Sequence, residues 1–544
     1  MNENLFKRFK AALIDMDGVL YDSMPGHVRA WHRLMTELGV ECTRDEFYLY
    51  EGMTGPATIN LLFTRAFGKT CSEERCRELY EVKSRYFKEL GEARKMPGAA
   101  RMLGALKAGG IHRVLVTGSA QKSLLGKLGR DYPGIFGEDK KVTALDVRRG
   151  KPDPEPYLTG ALKAGAEPKD CMVIENAPLG VRAGKAAGCF TIAVTTGPIP
   201  EEEFRKEGAD MVFESMDKFA DFLERQLAGF RLGEALEDID ADKIILLTEE
   251  NVKEKANISL DFADEIIVIP AGEKSKDLNT LEGIWRRLVE CGATRRSLLV
   301  NLGGGTVSDL GGFGASTFKR GIRFVNVPTT LLAVADAAIG GKTGINFMGL
   351  KNEIGSFAMP EKVVVIPSLT RTLPESEMKS GFAEIVKMAL IGDEALYRRL
   401  VEGDALSDSA LMEEAMLFAA RKKEEIVAED PREQGLRRVL NFGHTAGHAY
   451  EAYAAESGHP ISHGEAVAHG IIAAMRKSEK EAGFSPELTA EYKERILDRY
   501  YQPLPFGDEA RGRLEELMAH DKKNRGDGRI NFILIERPGK ALLI

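Results

Sequence analysis

Residues 301–352 are rich in glycine and contain several lysines and arginines, a composition that suits the binding of a phosphorylated ligand. Three glycines end the apolar run SLLVNL: Gly303, Gly304 and Gly305. Because glycine has no Cβ, the backbone there can approach a bulky anion closely and donate amide N–H groups to it. The polar side chains that follow are Asp336, Lys342, Lys351 and Asn352. This combination predicts a site for a phosphorylated, polyhydroxylated substrate beside a dinucleotide.

Two histidines, His444 and His448, stand four residues apart in NFGHTAGHAYE, which places both on one face of a helix. Together with a carboxylate, two histidines leave coordination positions of Zn²⁺ open, as a catalytic zinc site requires. The spacing alone makes both histidines candidate ligands. A buried histidine that is satisfied by hydrogen bonds is the ordinary structural alternative for either one.

A pair of aspartates, Asp15 and Asp17, follows the first apolar run of the chain in LIDMDG. A buried strand that ends there would present both carboxylates at the carboxyl edge of a sheet. One aspartate could attack a phosphoryl group while the other manages the proton of the leaving group. A calcium loop or a plain turn is the alternative for so short a motif. The chemical interpretation is favoured by polar groups at the ends of later runs: Thr117, Lys151, Glu175 and Asn176.

Short apolar runs predict the strands that deliver these groups. In the first half they are residues 11–14, HRVLV and CMVIE, and in the second half KIILLT, IIVIP, SLLVNLG and IRFVNVP. After Pro374 the pattern becomes helical, which predicts a helical C-terminal domain. The charged segment 201–242 is predicted to be helical and to lead into a short connection near residues 232–241.

Length and composition limit the classes of protein to consider. At 544 residues the chain is too long for one ordinary core, and 43% hydrophobic with 29% charged residues is typical of a globular protein. The net charge of −8 disfavours nucleic acid as a partner, and six cysteines without a CxxC pair predict reduced thiols. No apolar run is long enough for a signal peptide or a membrane span, so we expect a cytoplasmic location.

The second half of the chain closely resembles 3-dehydroquinate synthase. The motifs that carry the resemblance are, in order, GGGxxxD, RG, VPTTLLAxxDAxIGGKTG, KN, AExxK, NFGHTxGH and HGEAV. The resemblance implies conversion of 3-deoxy-D-arabino-heptulosonate 7-phosphate to 3-dehydroquinate and phosphate, with catalytic NAD and with Zn²⁺ or Co²⁺. It implies an internal redox cycle in which a hydroxyl is oxidised, phosphate leaves by β-elimination, the hydride returns and an aldol step closes the ring. It also implies a homodimer, because the family's arginine at Arg320 comes from the neighbouring subunit.

The same resemblance assigns roles to individual residues. The implied metal ligands are Glu384, His444 and His463, which leaves His448 and Glu433 for proton transfer. The implied NAD-binding residues are Glu249, Asn251, Glu273, Lys276, Gly303, Gly304, Gly305, Thr306, Asp309, Thr329, Thr330 and Thr372. The implied substrate-binding residues are Arg320, Asp336, Lys342, Lys351, Asn352, Lys387, Lys423, Arg437, Asn441 and Lys522. Glu249 departs from the family pattern, which more often has aspartate there.

The first half resembles the haloacid dehalogenase superfamily, with a cap similar to that of β-phosphoglucomutase and phosphoglycolate phosphatase. The resemblance implies that Asp15 is the nucleophile and Asp17 the general acid/base, and that Thr117 and Lys151 hold the phosphate. The implied Mg²⁺ ligands are Asp15, Asp17, Glu175 and Asn176. Asn176 replaces an acidic residue of the usual motif, which we expect to weaken the magnesium site. Gly55 stands where the mutases carry an arginine, which favours a phosphatase; an inactive, structural domain is the alternative.

The expected fold class is α/β, with three domains. They are a Rossmann-like haloacid dehalogenase domain at 1–228 with a helical cap at about 24–96, a NAD-binding α/β domain at 238–372, and a helical metal- and substrate-binding domain at 373–544. The expected partners are small sugar phosphates. A valiolone-type cyclase and an NAD-dependent polyol dehydrogenase are the functional alternatives. Arg437, Asn441 and Lys522 disfavour the valiolone-type cyclase, because a carboxylate substrate needs them and a neutral one does not. The polyol dehydrogenase is disfavoured because it would not need the cations Lys342 and Lys387 or the ligand Glu384.

Overall fold

The structure is a computed structural model that describes residues 5–119, 122–256, 258–519 and 530–542. The chain divides into two compact units, Met1–Arg231 and Leu232–Ile544. The division falls within the helix Met216–Leu236, at the start of the connection predicted from the sequence near residues 232–241.

The first unit is built on a parallel sheet of six strands. In spatial order the strands are Lys141–Val142, His112–Val116, Ala11–Ile14, Cys171–Glu175, Phe190–Val194 and Met211–Phe213. The central strands Ala11–Ile14 and Cys171–Glu175 are buried at every residue, which matches their uninterrupted apolar runs. Helices flank the sheet: Leu5–Arg8, Ala99–Ala108, Lys122–Asp131, Glu155–Ala164, Pro178–Ala186, Glu201–Lys206 and Met216–Leu236. The carboxyl ends of the central strands therefore place residues 15–17 and 175–176 at one edge.

A helical cap is inserted after the first strand. Its helices are Met24–Glu37, Glu46–Leu49, Gly55–Phe67 and Glu73–Glu89, and they share a hydrophobic core of their own. Thr54 and Ser72 cap two of these helices, since each side chain accepts a hydrogen bond from a backbone N–H in the first turn. A small antiparallel pair, Tyr21–Asp22 with Arg94–Lys95, joins the two ends of the insertion.

The second unit begins with a parallel sheet of five strands. Their spatial order is Glu265–Ile269, Ile244–Glu249, Leu298–Gly303, Arg323–Pro328 and Lys362–Val363. The helices of this part are Glu250–Lys255, Leu278–Glu290 and Gly305–Thr317, and a π-helical turn spans Ala333–Ala337. An antiparallel hairpin, Lys342–Phe347 with Leu350–Phe357, follows. The sequence analysis did not predict this hairpin.

The remainder of the second unit is mainly helical, around the largest hydrophobic cluster. Its principal helices are Glu375–Gly392, Glu394–Glu402, Ser409–Glu429, His444–Glu456, His463–Ala482, Pro486–Tyr492 and Arg511–Ala519. The α/β fold class with a helical C-terminal part is thus confirmed. Two details differ from the expectation: the short strand Met211–Phe213 interrupts the segment predicted as helical, and a strand pair, Leu534–Arg537 with Lys540–Leu542, ends the described chain. Within the described residues, we find no helix with the length and apolar character that crossing a membrane requires.

Candidate active sites

A buried ion-pair cluster lies at the carboxyl edge of the first sheet. The Lys151 Nζ is 2.5 Å from Asp15 Oδ1 and 2.6 Å from Glu175 Oε1, and all three side chains are buried. Burial, followed by the charge of Glu175, raises the pKa of Asp15 above its ordinary value despite Lys151. Burial lowers the pKa of Lys151, but the two carboxylates outweigh it and raise that pKa, so the lysine remains a cation. A cation fixed between two carboxylates can neutralise an incoming phosphoryl group.

Asp17 is held by groups from the cap. The Ser23 hydroxyl donates to Asp17 Oδ1 at 2.5 Å, and His27 Nε2 lies 3.2 Å from the same oxygen. The other ring nitrogen of His27 is 2.6 Å from the Nζ of Lys83, which is 2% exposed. Burial raises the pKa of Asp17, but His27 and Ser23 lower it to about 2, while burial lowers the pKa of Lys83 to about 8. Asp17 is therefore ionised and oriented by cap residues.

The oxygens beside Asp15 fit a hard cation. The side-chain Oδ1 of Asn176 is buried and has no hydrogen-bond partner among the described residues, which is unusual for a buried amide oxygen. Glu51 of the cap accepts a hydrogen bond from Asn176 Nδ2 at 3.0 Å, and burial followed by the charge of Asp15 raises the pKa of Glu51. Mg²⁺ prefers carboxylate and amide oxygens such as these. The backbone approaches closely here, since a Cβ on Gly18 would lie 1.8 Å from Asn176 Nδ2.

Thr117, Asp15 and Asp17 line one cavity beneath the cap, together with Glu51 and Lys83. The Thr117 hydroxyl accepts a hydrogen bond from the Ser119 N–H at 3.1 Å, and backbone amides beyond a strand can hold a phosphate. The sequence predictions for this unit therefore converge on one place, with the addition of Glu51.

In the second unit a cavity of about 840 Å³ gathers most of the predicted NAD-binding residues. Those among its lining residues are Glu249, Asn251, Glu273, Lys276, Gly304, Gly305, Thr306, Asp309, Thr329, Thr330 and Thr372. Gly303 is the last residue of the neighbouring strand, and Gly304 precedes the helix Gly305–Thr317, whose N-terminus faces the cavity. Lys276 and Asp309 form a pair at 2.5 Å; burial raises the pKa of Asp309 to about 6, although Lys276 opposes this.

Three predicted metal ligands meet beside this cavity. Glu384, His444 and His463 each direct a ligand atom to one point, and these atoms lie within 4.8 Å of one another. The Oε1 of Glu384 is 3.3 Å from His444 Nε2 and 3.5 Å from His463 Nε2. Both carboxylate oxygens of Glu384 are buried without a hydrogen bond of good geometry from any described residue, although Lys387 Nζ lies 2.5 Å from Oε2. A buried carboxylate facing two imidazole nitrogens fits a divalent metal.

Both imidazole rings are oriented through their second nitrogen. His444 Nδ1 lies 3.2 Å from the Phe442 carbonyl oxygen, and His463 Nδ1 lies 3.0 Å from Glu451 Oε2. If each Nδ1–H donates to these oxygens, each Nε2 keeps its lone pair for a metal. His448 lines the cavity nearby, with its ring 5.3 Å from that of His444.

A second polar cluster continues from the metal ligands. Lys423 donates to the Asp336 carbonyl at 2.6 Å and pairs with its carboxylate. Arg437 is 3% exposed and donates to the carbonyl of Gly340 at 2.9 Å. Gly340 has φ +118°, and a Cβ there would lie 2.4 Å from the guanidinium, so this contact needs glycine.

Glu433 joins two further predicted residues. It pairs with Lys342 and accepts a hydrogen bond from Asn441 Nδ2 at 2.8 Å. Its φ of 57° is left-handed, which is uncommon outside glycine and recurs at functional sites. Among the lining residues of the cavity, Lys351 pairs with Glu451 at 3.1 Å beside Asn352.

Two predicted substrate-binding residues do not join this group. Arg320 is exposed beyond the far end of the helix Gly305–Thr317, which at about 1.5 Å per residue is about 20 Å long. Arg320 therefore lies far from the cavity of its own chain. Lys522 lies outside the described residues.

The sequence analysis missed four polar residues that the structure places in or behind these sites: Glu51, Lys83, Asn346 and Glu451. Glu451 had a detectable signal, because it follows His444 by seven and His448 by three residues and so shares their helical face. Glu51 and Lys83 stand in the cap, far along the sequence from the strand ends, and no local pattern connects them to Asp17.

Comparison with known proteins finds family matches for both parts of the chain. The family models for the N-terminal and C-terminal parts of 3-dehydroquinate synthase match residues 266–380 and 381–524, and the haloacid dehalogenase-like hydrolase model matches residues 9–188. A 3-dehydroquinate synthase of Parabacteroides distasonis is 44% identical over 315 residues, which cover 57% of this chain and 88% of that protein.

Solved structures resemble each half separately. A putative β-phosphoglucomutase from Bacteroides vulgatus is 46% identical with a TM-score of 0.39, covering 40% of this chain and 88% of that one. A structure of 2-deoxy-scyllo-inosose synthase, complexed with carbaglucose-6-phosphate, NAD⁺ and Co²⁺, is 24% identical with a TM-score of 0.47, covering 57% of this chain and 89% of that one.

The chain is a fusion of two enzymes, a hydrolase of the haloacid dehalogenase type and a lyase. It belongs to the 3-dehydroquinate synthase family, through the part that follows the hydrolase domain.

Proposed function

We propose that the second unit converts 3-deoxy-D-arabino-heptulosonate 7-phosphate to 3-dehydroquinate and phosphate, a step of the shikimate pathway. The observation that carries the proposal is the convergence of Glu384, His444 and His463 on one point beside a cavity lined by predicted NAD-binding residues. When bound, Zn²⁺ or Co²⁺ would polarise a substrate hydroxyl and NAD⁺ would accept and return a hydride.

The chain's own residues bind and orient the substrate. Lys342, Lys351 and Asn352 supply donors for the phosphate on the hairpin side. Lys423 and Arg437, both buried, supply cations for a carboxylate end. Lys423 already pairs with Asp336, whereas the described hydrogen bonds of the Arg437 side chain go to the carbonyl oxygens of Pro431 and Gly340. A buried cation costs much desolvation energy unless an anion accompanies it, so Arg437 favours an anionic sugar acid over a neutral sugar phosphate. His448, which lines the cavity, and Glu433 would move protons to and from the bound substrate.

We also propose that this unit works as a homodimer, with Arg320 completing the phosphate site of the partner subunit. Arg320 is exposed and stands about 20 Å beyond the helix end that faces its own cavity. The hairpin lies against the helix that precedes Arg320, since the hydroxyls of Ser316 and Ser356 are 2.8 Å apart. Its exposed apolar residues are Phe347, Met348, Leu350, Ile354 and Phe357. Such a patch is typical of an interface.

For the first unit we propose a magnesium-dependent phosphatase acting on a small sugar phosphate. Its support is the buried Asp15–Lys151–Glu175 cluster next to the unpartnered oxygen of Asn176. Asp15 would attack the phosphoryl group, Asp17 would protonate the leaving oxygen, and Thr117 and Lys151 would hold the phosphate. Mg²⁺, when bound, would neutralise charge on the transferred group. This half does not act usefully on the substrate of the cyclase, because the elimination needs that phosphate as its leaving group.

One experiment separates the two activities. Phosphate release from 3-deoxy-D-arabino-heptulosonate 7-phosphate is measured for the wild type, Asp15→Asn and His444→Ala, with dehydroquinate dehydratase as a coupling enzyme to detect the carbocycle. We expect carbocycle formation with Asp15→Asn and none with His444→Ala. Phosphate release without a carbocycle, dependent on Asp15, would contradict the cyclase assignment.

The phosphatase is tested by a screen of sugar phosphates with the same variants. We expect a magnesium-dependent turnover that Asp15→Asn abolishes and His444→Ala leaves unchanged. The absence of turnover on every sugar phosphate would reject the phosphatase proposal.

A further inference from the structure

Asn346 lies in the first strand of the hairpin, behind the cavity of the second unit and not among its lining residues. Three hydrogen bonds tie it to two different segments. Its backbone N–H donates to the Lys276 carbonyl at 2.8 Å, and its Nδ2 donates to Glu273 Oε1, also at 2.8 Å. Its Oδ1 accepts from the backbone N–H of Asn352 at 2.9 Å. Both functional groups of the side chain are therefore used.

The first two bonds lead to the side of the cavity assigned to the dinucleotide. Glu273 Oε2 accepts from the Thr306 hydroxyl at 3.4 Å, in the first turn of the helix whose N-terminus faces the cavity. Lys276 in turn pairs with Asp309 of that helix. A displacement of Asn346 would thus move a loop that touches the helix at two positions.

The third bond leads to the side assigned to the substrate phosphate. Asn352 has φ 53°, a left-handed conformation that asparagine adopts more readily than most residues other than glycine. The acceptor on Asn346 holds the N–H of Asn352, and the neighbouring Lys351 reaches Glu451, which orients His463. The side chain of Asn346 is a direct link between the Glu273–Lys276 loop and the start of the strand Leu350–Phe357, which carries Lys351 and Asn352.

We propose that Asn346 is a positioning residue that couples the binding of NAD to the binding of the substrate phosphate. The inference rests on the proposed function of this cavity and adds to it a route of communication between its two halves. Ordering the Glu273–Lys276 loop by the dinucleotide fixes the amide of Asn346, and that amide fixes Asn352 in its binding conformation. Because coupling between two ligands is reciprocal, the phosphate ligand strengthens NAD binding by the same factor.

The test measures this coupling factor in the full-length, metal-loaded protein. The dissociation constant of NAD⁺ is determined by titration with and without a non-reacting phosphonate analogue of the substrate. We expect the analogue to tighten NAD⁺ binding in the wild type by roughly fivefold or more, the lower range of measured couplings. The reverse titration, analogue with and without NAD⁺, must give the same factor.

Two substitutions remove different parts of the link. Asn346→Ser is too short to reach either Glu273 or Asn352, and we expect its coupling factor to fall to about one. Asn346→Asp keeps an acceptor for the Asn352 N–H but loses the donor to Glu273 and places two carboxylates together. We expect it to bind the analogue alone like the wild type and to bind NAD⁺ several-fold more weakly. Ser356→Ala is the matched control, because that hydroxyl contacts Ser316 of the helix Gly305–Thr317 and Thr343 of the first hairpin strand, and neither contact involves Asn346.

The outcomes separate the inference from the function on which it rests. A wild-type protein that binds no NAD⁺ would overturn the proposed function and this inference with it. A wild type that binds both ligands without mutual effect, or an Asn346→Ser protein that keeps the wild-type factor, would overturn the inference alone. An Asn346→Ser protein that weakens each ligand but retains the coupling would show that Asn346 is merely structural.

Discussion

Glu451 orients one of the three side chains that converge as a metal site. Its Oε2 lies 3.0 Å from His463 Nδ1, while its Oε1 holds Lys351 at 3.1 Å. A ligating imidazole needs its second nitrogen fixed, because this decides which nitrogen carries the lone pair and where the ring points. The carboxylate thus belongs to the site although it contacts no metal-facing atom.

We predict that Glu451→Gln weakens Zn²⁺ binding by about 10- to 100-fold, the usual effect of losing such a partner. The affinity is measured by competition with a chromogenic chelator, which does not depend on activity. Glu456→Gln, on the same helix but paired with Arg513 at the surface, should bind Zn²⁺ like the wild type. Equal affinities for all three proteins would show that Glu451 does not orient His463.

The difference between predictable and unpredictable residues in these sites has a physical origin. Glu384, His444 and His463 stand in motifs whose order along the chain is distinctive, so the resemblance could name them. Glu51 and Asn346 act by contacts across the fold, 125 residues from Asn176 in one case and 73 from Glu273 in the other. Asn176 was expected to weaken the magnesium site by removing a carboxylate, and the structure places a carboxyl group from the cap, that of Glu51, next to Asn176.

The two helices that carry the histidines pack with their backbones almost in contact. A Cβ on Gly470 of His463–Ala482 would lie 2.0 Å from the Gly443 carbonyl oxygen, and one on Gly447 would lie 3.1 Å from the Ala466 oxygen. The contact at Gly470 needs glycine, because a side chain there would push the backbones apart, and the contact at Gly447 is tight. The approach brings the first turns of the helices, which carry His444 and His463, to one point.

We predict that Gly470→Ala destabilises the second unit by roughly 1–3 kcal/mol and weakens metal binding, because the helices must separate. Denaturant unfolding and the chelator assay measure the two effects. Gly283→Ala is the control, since that glycine sits inside the helix Leu278–Glu290 with open space around it. It should stabilise by about 0.5–1 kcal/mol through helix propensity, without an effect on metal binding. A neutral Gly470→Ala would contradict the close packing.

Elements with a continuous apolar run were predictable, and elements without one were not. Central strands such as Ala11–Ile14 and Leu298–Gly303 are buried at every position, as their largely apolar sequences predict. The hairpin strand Leu350–Phe357 is exposed at nearly every residue, so it has no alternation between a buried and a solvated face. The strand Met211–Phe213 has only three residues and falls between two charged helices.

At the scale of the whole molecule, the proposed homodimer makes each cyclase site depend on two chains. Arg320 is exposed, and its side chain makes no hydrogen bond or ion pair with the described part of the chain. The helix that precedes it contacts the hairpin, since the hydroxyls of Ser316 and Ser356 are 2.8 Å apart. The turn that carries Arg320 is strained: Lys319 and Arg320 have φ 49° and 68°, both left-handed. Strain of this kind persists when the local conformation is needed for a contact.

We predict that two inactive variants restore activity when they share a dimer. Arg320→Ala removes the residue that a chain gives to its partner, and His444→Ala removes a ligand that a chain keeps for itself. In a mixed dimer one site combines the intact Arg320 of one chain with the intact His444 of the other. When the two variants are co-expressed in equal amounts, random pairing makes about half of the dimers mixed. Each mixed dimer has one working site out of two, so we expect about a quarter of the wild-type cyclase activity.

The control is a mixture of Lys387→Ala with His444→Ala. Both residues belong to the same chain's site, next to Glu384, so no mixed dimer contains a complete site and no activity should return. If the mixture of Arg320→Ala with His444→Ala also recovers no cyclase activity, Arg320 does not act in the site of the partner chain. Sedimentation of each mixture is measured in parallel, because a monomeric protein would remove the basis for sharing. If activity returns only in the mixture of Arg320→Ala with His444→Ala, Arg320 acts in the site of the partner chain. The dimer is then the active unit, because this exposed arginine lies too far from the cavity of its own chain to complete it.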